Sequence, residues 1–369
     1  MRVSVFLFTT CQAGFEPALK AELAQSHPDF RFSYSRKGFV TWKLPEKRSS
    51  GTALLDLRLE SVFARAYGVS LGRTRHAAAP EVRTAFDDTG ATRVHVWARD
   101  GIAFDAAASL VAQAVIALET RLPAGTPIHP GVGAAARPVP IDGSLGSDHR
   151  AARHPDPPRD GEVVLDVVLV GDNEWWMGAH RHAAATHRPW VGGVFPDEVP
   201  VHAPSRAWLK MAEGLLWPGL PVRAGETAVE LGCAPGGAVV ALLDRGLRVI
   251  GVDPADMAPS IVGDPRFTHL RKQSLQLTRE DFAGREVQWL FSDMNVPADD
   301  ALKAVSRFVR HQPPGSALRG AGITIKLKSA AQAPPVASCV ERMKTIGFRK
   351  VRAVQLSQNR NEFWLQALR

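Results

Sequence analysis

The chain has little of what marks a disulfide-bonded, zinc-binding or membrane-spanning protein. Its 369 residues contain three cysteines, Cys11, Cys233 and Cys339, which stand far apart. Such spacing argues against a disulfide framework and against a zinc cluster. No apolar run approaches the roughly 20 residues that a membrane span requires. The apolar segment Val3–Phe8 is too short for a signal-peptide core and favours a first strand. We therefore expect a cytoplasmic protein with no membrane partner.

The bulk composition is that of an ordinary globular protein. Hydrophobic residues make up 45% of the chain and charged residues 22%, and the length allows two or three domains with sizeable cores. The net charge of +8 comes from 45 basic and 37 acidic residues. This excess is compatible with a polyanionic partner but does not by itself indicate one.

One glycine-rich stretch carries a specific signal. Residues 229–237 read Val-Glu-Leu-Gly-Cys-Ala-Pro-Gly-Gly and lie between a predicted strand and a predicted helix, and Asp253 stands 21 positions after Gly232 at the end of the next predicted strand. This arrangement predicts a nucleotide-binding βαβ unit, in which glycines let the backbone approach the ligand and a carboxylate accepts hydrogen bonds from ribose hydroxyls.

The order of those glycines indicates which nucleotide binds. A dinucleotide site requires G-x-G-x-x-G, and a P-loop requires a Lys-Ser/Thr pair after the glycines; the stretch has neither. The pattern favours S-adenosylmethionine, which carries no phosphate.

From about residue 198 to 369, strand-like and helix-like segments alternate, which predicts a doubly wound, Rossmann-like α/β domain. The predicted strands are Thr227–Glu230, Arg248–Asp253, Thr268–Leu270, Gln288–Asp293, Gly322–Leu327, Val351–Leu356 and Phe363–Leu368. Ligands of such sheets bind beyond the carboxyl ends of the strands, where Gly232, Asp253, Asp293 and Lys326 all fall.

The first half of the chain predicts two smaller α+β domains, residues 1–84 and 85–197. The first has a β-α-β-β-α-β pattern of the ferredoxin-like kind. The predicted elements are a strand at Val3–Phe8, a helix over Gly14–Ala24, a strand at Gly38–Lys43, a helix around Leu54–Ala66, a strand at Arg93–Trp97, a helix over Ala106–Leu122 and a buried strand at Val163–Val170. Residues 124–161, rich in Gly, Ala and Pro, predict a long exposed loop.

Four charged residues near the predicted ligand edge stand out. Asp293 ends a hydrophobic strand, and Lys326 lies in an otherwise apolar strand, where a charge is costly unless it is paired. Lys210 lies on a predicted helix before the sheet, and Glu362 precedes the last strand. Each alone would suggest a surface ion pair; together, after a cofactor turn, they predict a catalytic group.

With these residues in place, the chain resembles the bacterial 23S rRNA cytidine 2'-O-ribose methyltransferases, which have a THUMP-containing N-terminal region and an FtsJ-type catalytic domain. The matching motifs are Ala203-Pro-Ser-Arg-Ala-Trp-Leu-Lys210, Glu230-Leu-Gly-Cys-Ala-Pro-Gly-Gly237, Ser292-Asp-Met294 and Ile325-Lys-Leu327. The N-terminal half is similar more loosely, through Gly14-Phe-Glu16, Phe63-Ala-Arg65 and Pro189-Trp-Val-Gly-Gly193.

The resemblance implies a Lys-Asp-Lys-Glu catalytic tetrad, formed here by Lys210, Asp293, Lys326 and Glu362. Lys326 is the candidate base that removes the proton of the ribose hydroxyl. A free lysine has a pKa of ~10.4. Burial and the charge of Lys210 would lower the pKa of Lys326, whereas the two carboxylates would raise it, and the sequence does not decide between them.

The resemblance also implies a set of residues that bind S-adenosylmethionine. They are Glu230, Gly232, Cys233, Ala234, Pro235, Gly236, Gly237, Asp253, Gln273 and Asp293. Two of them depart from the family pattern. Glu230 replaces an aspartate and keeps a carboxylate. Gln273 stands where the family usually offers an aspartate to the adenine amino group, which makes it a weaker, uncharged acceptor. Lys328 also stands where the family often has proline.

The THUMP-like region would supply RNA affinity through backbone contacts and stacking. Candidate RNA-binding residues are Arg73, Arg75, Arg181, Arg188, Trp190 and Arg206. His180, His182 and His187 lack cysteine or carboxylate support in the sequence, so we predict no metal. We expect a monomer that binds 23S rRNA or a large-subunit precursor and no DNA. Two alternatives remain: the same chemistry on another RNA, and a non-catalytic RNA-binding ribosome-assembly factor with a methyltransferase fold.

Overall fold

The computed structural model divides the chain into two compact units, Met1–Pro196 and Asp197–Arg369. The structure describes residues 5–45, 51–131, 156–171, 173–282, 284–313, 315–328 and 336–369. Within these ranges, no helix is both long enough and apolar enough to cross a membrane.

The first unit is built on one eight-stranded sheet. Its elements are β1 (Phe6–Thr10), α1 (Glu16–Ser26), β2 (Arg31–Arg36), β3 (Phe39–Lys43), β4 (Ala66–Thr74), α2 (Pro80–Thr89), β5 (Arg93–Ala98), α3 (Phe104–Glu119), β6 (Ile128–Gly131), β7 (Val163–Gly171) and β8 (Glu174–Arg181). The strand order is β2-β3-β1-β4-β8-β7-β5-β6. The pairs among β1 to β4 are antiparallel, and β5 pairs in parallel with both β6 and β7.

Helices α2 and α3 cover one face of this sheet. Pro80 occupies the first turn of α2, where a missing N–H costs nothing, and Gly90 ends the helix in the left-handed conformation. The helix buries Val82 and Phe86 in a cluster with the apolar side chains of β5, β7 and β8. On the other face, Phe8 packs among aromatic and β-branched residues.

Two sequence predictions for this unit are wrong. The helix predicted around Leu54–Ala66 is a short 3-10 turn, Gly51–Asp56, followed by an irregular segment. The carboxylate of Glu22 accepts hydrogen bonds from the hydroxyl of Ser61 (2.6 Å) and the N–H of Val62 (2.7 Å). The second contact satisfies a backbone N–H that a helix would otherwise pair internally.

The second error lies in the long loop predicted over residues 124–161. Its segment Ile128–Gly131 is strand β6, which extends the sheet alongside β5. A four-residue strand at the sheet edge has too few residues to show a period in sequence. Residues 132–155 of the predicted loop lie outside the described residues.

Strands β4 and β8 pair across the boundary predicted near residue 84, from Val69 opposite Ala179 to Thr74 opposite Trp175. The residues of both predicted N-terminal domains therefore share one sheet. Their division into a ferredoxin-like and a THUMP-like domain stays a prediction.

Strand β8 contributes to a buried histidine cluster in the first unit. The rings of His180 and His187 stack with centroids 4.4 Å apart, and Nδ1 of His180 lies 2.7 Å from Oδ2 of the buried Asp166. Burial, reinforced by the neighbouring histidines, lowers the pKa of His182 to about 4 and that of His187 to about 2. Among the described residues, no His, Cys, Asp or Glu group is arranged to hold a metal ion.

The second unit is a three-layer α/β domain. Its elements are α4 (Ala207–Gly214), β9 (Thr227–Leu231), α5 (Gly237–Leu243), β10 (Arg248–Val252), α6 (Pro259–Val262), β11 (Phe267–Leu270), β12 (Trp289–Ser292), α7 (Ala298–His311), β13 (Gly320–Lys326), α8 (Val336–Ile346), β14 (Lys350–Val354) and β15 (Glu362–Leu368). The strand order is β11-β10-β9-β12-β13-β15-β14. All strands are parallel except β15, which is antiparallel to β13 and β14. Every strand predicted for this half is present, and the predicted doubly wound fold is confirmed.

The histidine cluster should make the first unit sensitive to acid. The rings of His182 and His187 stay neutral in the folded protein, whereas an unfolded histidine has a pKa of about 6.5. Below that pH the unfolded state binds more protons than the folded state. The free energy of unfolding is therefore highest above about pH 6.5, and on acidification it falls by about 1.4 kcal/mol per pH unit for each histidine. Burial raises the pKa of Asp166, which offsets part of this loss.

Replacing His187→Phe tests this effect and keeps a ring against Tyr67. Between pH 7.5 and 5.5, the variant should lose about 1.4 kcal/mol less unfolding free energy than the unchanged protein. Hydrogen exchange of the β7 and β8 amides measures this unit specifically. His76→Phe, at an exposed histidine of the same unit, is the control and should leave the pH dependence of the unfolding free energy unchanged. Equal pH dependence in all three proteins would contradict the prediction.

Candidate active site

The predicted ligand edge of the second unit lies where the order of the parallel strands reverses. Strands β10 and β12 flank β9 on opposite sides, and crossovers that leave in opposite directions open a crevice at the carboxyl ends of the strands. The glycine-rich turn follows β9, and Asp253 and Asp293 follow β10 and β12 directly. Lys326 is the last residue of β13.

The glycine-rich turn is tightly packed. Gly236 has a φ of +116° and stands at the N-cap of α5; a Cβ there would lie 2.0 Å from Cδ1 of Ile261. A Cβ on Gly237 would lie 2.2 Å from Oγ of Ser205. Only glycine therefore allows this turn to form and lets the segment before α4 pack against the start of α5.

The other residues of the turn are tied to the adjacent strand end. The N–H of Gly232 donates to the carbonyl of Val252 at 2.9 Å, and the N–H of Ala234 donates to Oδ2 of Asp253 at 3.1 Å. Cys233 is buried, and the carbonyl of Pro235 accepts from the N–H of Ala258 at 3.0 Å. The structure thus brings the predicted residues 232–237 and Asp253 together.

Glu230 lies beneath the turn and is 1% exposed. Among the described residues, its Oε2 has no hydrogen-bond partner. Burial, followed by the charges of Asp293 and Asp253, raises the pKa of Glu230 well above its ordinary value. A buried carboxyl oxygen without a partner is costly, and a polar ligand group beside the turn would relieve that cost. This is the observation that fits the predicted cofactor.

Gln273 lies apart from these buried groups. Its side chain is exposed and caps the short 3-10 turn Ser274–Gln276 in a reciprocal capping box with Gln276. Its place in adenine binding stays a prediction.

The four charged residues predicted as the catalytic tetrad form a closed ring of alternating charge. Nζ of Lys210 lies 2.7 Å from Oδ2 of Asp293 and 2.9 Å from Oε1 of Glu362. Nζ of Lys326 lies 3.1 Å from Oδ1 of Asp293 and contacts Oε2 of Glu362. Each lysine thus contacts both carboxylates, and each carboxylate uses a different oxygen for each lysine.

Four separate elements deliver this ring. Helix α4 carries Lys210, and the residue directly after β12 is Asp293. Lys326 and Glu362 are register partners on the antiparallel strands β13 and β15. All four side chains are between 9% and 23% exposed, so their mutual attraction is screened less than it would be at an open surface.

The structure answers the question that the sequence left open about Lys326. Burial lowers the pKa of Lys326, but the carboxylates of Asp293 and Glu362 outweigh it, and the net shift is upward. Burial raises the pKa of Glu362, and the two lysines reverse that shift to a net lowering. With its partners in place, Lys326 is therefore held in its charged form at neutral pH.

The predicted RNA-binding residues differ in environment. The Arg73 side chain is 69% exposed, and Arg75 is exposed. Arg188 is 5% exposed and donates from Nη1 to the carbonyl of Gly193 at 3.2 Å, which favours a structural role. The remaining three are half-buried or locally paired: Arg181 contacts Asp56, Trp190 packs edge-on against Phe195, and Arg206 donates to Gln358. Their RNA contacts stay predictions.

Sequence reasoning missed the supports of the tetrad. Asn359, which is 1% exposed before β15, donates to Glu362, and Glu213, which is fully buried on α4, accepts hydrogen bonds from Ser357 in the connection before β15. The spacing of three residues between Lys210 and Glu213 places them one helical turn apart and could have indicated the first. The contact of Asn359 depends on how its loop folds, which no local period reveals.

A comparison with protein families finds a match in the part of the chain that carries the tetrad. Residues 203–362 match the family described as FtsJ-like methyltransferase. The match lies within the second unit, includes all four residues of the tetrad, and agrees with the resemblance seen in the catalytic motifs.

Two relatives share more of the chain. Ribosomal RNA large subunit methyltransferase M of Halorhodospira halophila is 31% identical over 195 residues, covering 51% of this chain and 55% of that protein. The protein of the same name from Alkalilimnicola ehrlichii is 32% identical over 225 residues, covering 57% and 60%. The match thus spans little more than half of these relatives. The solved structure of fibrillarin from Aeropyrum pernix aligns with 55% of this chain and 81% of the fibrillarin chain, at 17% identity and a TM-score of 0.35. This similarity is too low to bear on function.

The tight turn yields a direct test. Gly236→Ala forces a Cβ into Ile261 at a positive φ, so we expect at least a tenfold loss of S-adenosylmethionine affinity and a lower melting temperature. Isothermal titration calorimetry measures the affinity. The control is Gly263→Ala, where a Cβ would meet nothing within 4 Å; it should bind like the unchanged protein. Unaltered binding by Gly236→Ala would show that the turn does not shape the cofactor site.

Proposed function

We propose that this protein transfers a methyl group from S-adenosylmethionine to a ribose 2'-hydroxyl of RNA. The observation that carries the proposal is the alternating ring of Lys210, Asp293, Lys326 and Glu362 at the same strand edge as the glycine-rich turn. A hydroxyl needs orientation and removal of its proton; a lysine can orient the hydroxyl in its charged form and take the proton in its neutral form.

The residues of the turn would hold the cofactor. Glu230 and Asp253 offer carboxyl oxygens, and residues 232–237 offer a closely packed backbone. S-adenosylmethionine supplies a methyl group that is already activated by its sulfonium. Gln273 would contact adenine only if its amide oxygen left the cap of the 3-10 turn.

Lys326 would hold the hydroxyl oxygen and take its proton. Because Asp293 and Glu362 keep Lys326 charged, its ammonium can donate a hydrogen bond but cannot accept a proton. It acts as the base only in its neutral form. Lys210 contacts the same two carboxylates and shares their charge, which limits how firmly they hold the proton of Lys326.

The substrate we propose is a cytidine of 23S rRNA or of a large-subunit precursor. Two observations support it: the relatives are named ribosomal RNA large subunit methyltransferase M, and the chain carries a net charge of +8. In this proposal the first unit, with its ferredoxin-like and THUMP-like parts, binds the RNA. The predicted monomeric state, cytoplasmic location and lack of DNA binding belong to the same proposal.

Methyl transfer from radiolabelled S-adenosylmethionine to unmodified 23S rRNA tests the function, with the modified ribose mapped at nucleotide resolution. Lys326→Ala should reduce transfer by about 100-fold or more, as expected for loss of a general base. Lys328→Ala removes an exposed lysine two residues away and should leave the rate within about threefold, as for a surface change outside the site.

The alternatives give different results in the same assay. Methyl transfer to another RNA but not to 23S rRNA would contradict the proposed substrate and support the proposed reaction. If the protein binds RNA but not S-adenosylmethionine, the proposed enzymatic activity is contradicted and the non-catalytic assembly factor is favoured. Full activity of Lys326→Ala would remove Lys326 from the mechanism.

The raised pKa of Lys326 predicts a pH dependence. Below that pKa, the neutral fraction of a lysine grows about tenfold for each pH unit, so the single-turnover rate should rise by about that factor per unit from pH 6.5 to 9, without a plateau. Quench-flow measurements at saturating cofactor and RNA give the profile, and cofactor binding at each pH is the control. A flat profile would mean that Lys326 orients the hydroxyl without accepting its proton.

A further inference from the structure

Helix α4 carries two functional side chains one turn apart. Lys210 reaches the tetrad, and Glu213 points into the interior, where it is fully buried. A buried carboxylate needs several hydrogen bonds to offset the loss of water. Ser357 supplies two donors to Glu213: its N–H, shared between the two carboxylate oxygens at 2.8 and 2.9 Å, and its hydroxyl at 2.8 Å.

Ser357 lies in the connection between β14 and β15, and this connection leads directly to Glu362. The contact between Glu213 and Ser357 therefore ties the start of the connection to α4. Glu362 contacts the same helix through Lys210. The connection is thus attached to α4 at two points, one on each side of Asn359.

Asn359 joins these two points through its side-chain amide. Its Oδ1 accepts from the N–H of Leu356 at 2.8 Å, and its Nδ2 donates to Oε1 of Glu362 at 3.3 Å. A backbone N–H can only donate, so the amide oxygen must face Leu356 and the amide nitrogen must face Glu362. The direction of the second hydrogen bond follows from the first.

This bond acts on the orientation of the Glu362 carboxylate. Oε1 receives Lys210 and Asn359, while Oε2 contacts Lys326. Without Asn359, Oε1 would keep only Lys210, and the carboxylate would be held less firmly against rotation about its last bond, a torsion with only a broad preference. Rotation would alter the contact that holds Lys326.

We propose that Asn359 is a positioning residue of the tetrad, held in place by the contact between Glu213 and Ser357. It fixes the plane of the Glu362 carboxylate, so that one oxygen serves Lys210 and the other serves Lys326. The proposal rests on the proposed function of the tetrad in methyl transfer. The coupling from Asn359 through Glu362 to Lys326 is, however, measurable in the protein without substrate.

Asn359→Asp is the sharpest test, because it keeps the shape of the side chain and replaces the donor with an acceptor. The new carboxylate would face Glu362, raise the pKa of Glu362 by like-charge repulsion and displace its plane. Asn361→Asp is the matched control: it makes the same substitution two residues further on, at an exposed side chain. Both variants change the net charge equally.

Two measurements are made on the full chain. The first is kcat and KM for RNA; Asn359→Asp should lower kcat by about 10- to 100-fold, the cost of a misplaced catalytic group, with KM and cofactor affinity within about threefold. The second is an NMR titration of the Lys326 side chain in protein labelled with ¹³C-lysine, assigned with Lys326→Arg. Its pKa should shift in Asn359→Asp and stay unchanged in Asn361→Asp.

The outcomes separate the possibilities. If kcat falls while the Lys326 titration is unchanged, Asn359 has a structural role only and the proposal is overturned. Equal behaviour of the two Asp variants overturns it as well. If the unchanged protein methylates no RNA, the proposed function fails, yet a titration shift confined to Asn359→Asp still supports the coupling. If Asn359→Asp fails to fold, Asn359→Ser removes the amide donor without adding a charge. An unchanged pKa of Lys326 in that variant would contradict the proposed coupling.

Discussion

Four charged side chains at one strand edge stabilise one another, and four elements of the second unit must meet to bring them together. The charges of the two lysines and the two carboxylates sum to zero, and each charged group contacts two groups of opposite charge. A single buried charge is costly without a partner, so each of the four makes the burial of the others tolerable. Helix α4, the ends of β12 and β13, and the start of β15 must all be in place for that balance.

The sheet of the second unit was predictable because its strands are short apolar runs separated by helical segments. The residue types of the tetrad were also visible in the sequence. Their closure into a ring was not, because it depends on contacts such as that of Lys210 with Glu362, 152 positions apart. The direction of the Lys326 pKa shift was equally out of reach, since burial and two carboxylates oppose each other and the distances decide.

Where prediction failed, non-local or side-chain interactions had replaced the local pattern. The helix expected around residues 54–66 is absent because Glu22, far away in the chain, binds the backbone there. Strand β6 is too short to show a period and is defined by its partner β5. The supports of the tetrad, Glu213 and Asn359, carry ordinary polar residue types whose roles appear only when the connection before β15 is folded.

The pairing of β13 with β15 has a consequence for how this domain can change during evolution. Connections between strands usually accept insertions and deletions at small thermodynamic cost. Here a shift of one residue in the register of β15 would turn Glu362 to the opposite face of the sheet and set Asn361 or Phe363 beside Lys326. The length of the connection from residue 355 to 361 is therefore constrained by chemistry, and lineages that keep the tetrad should keep that length.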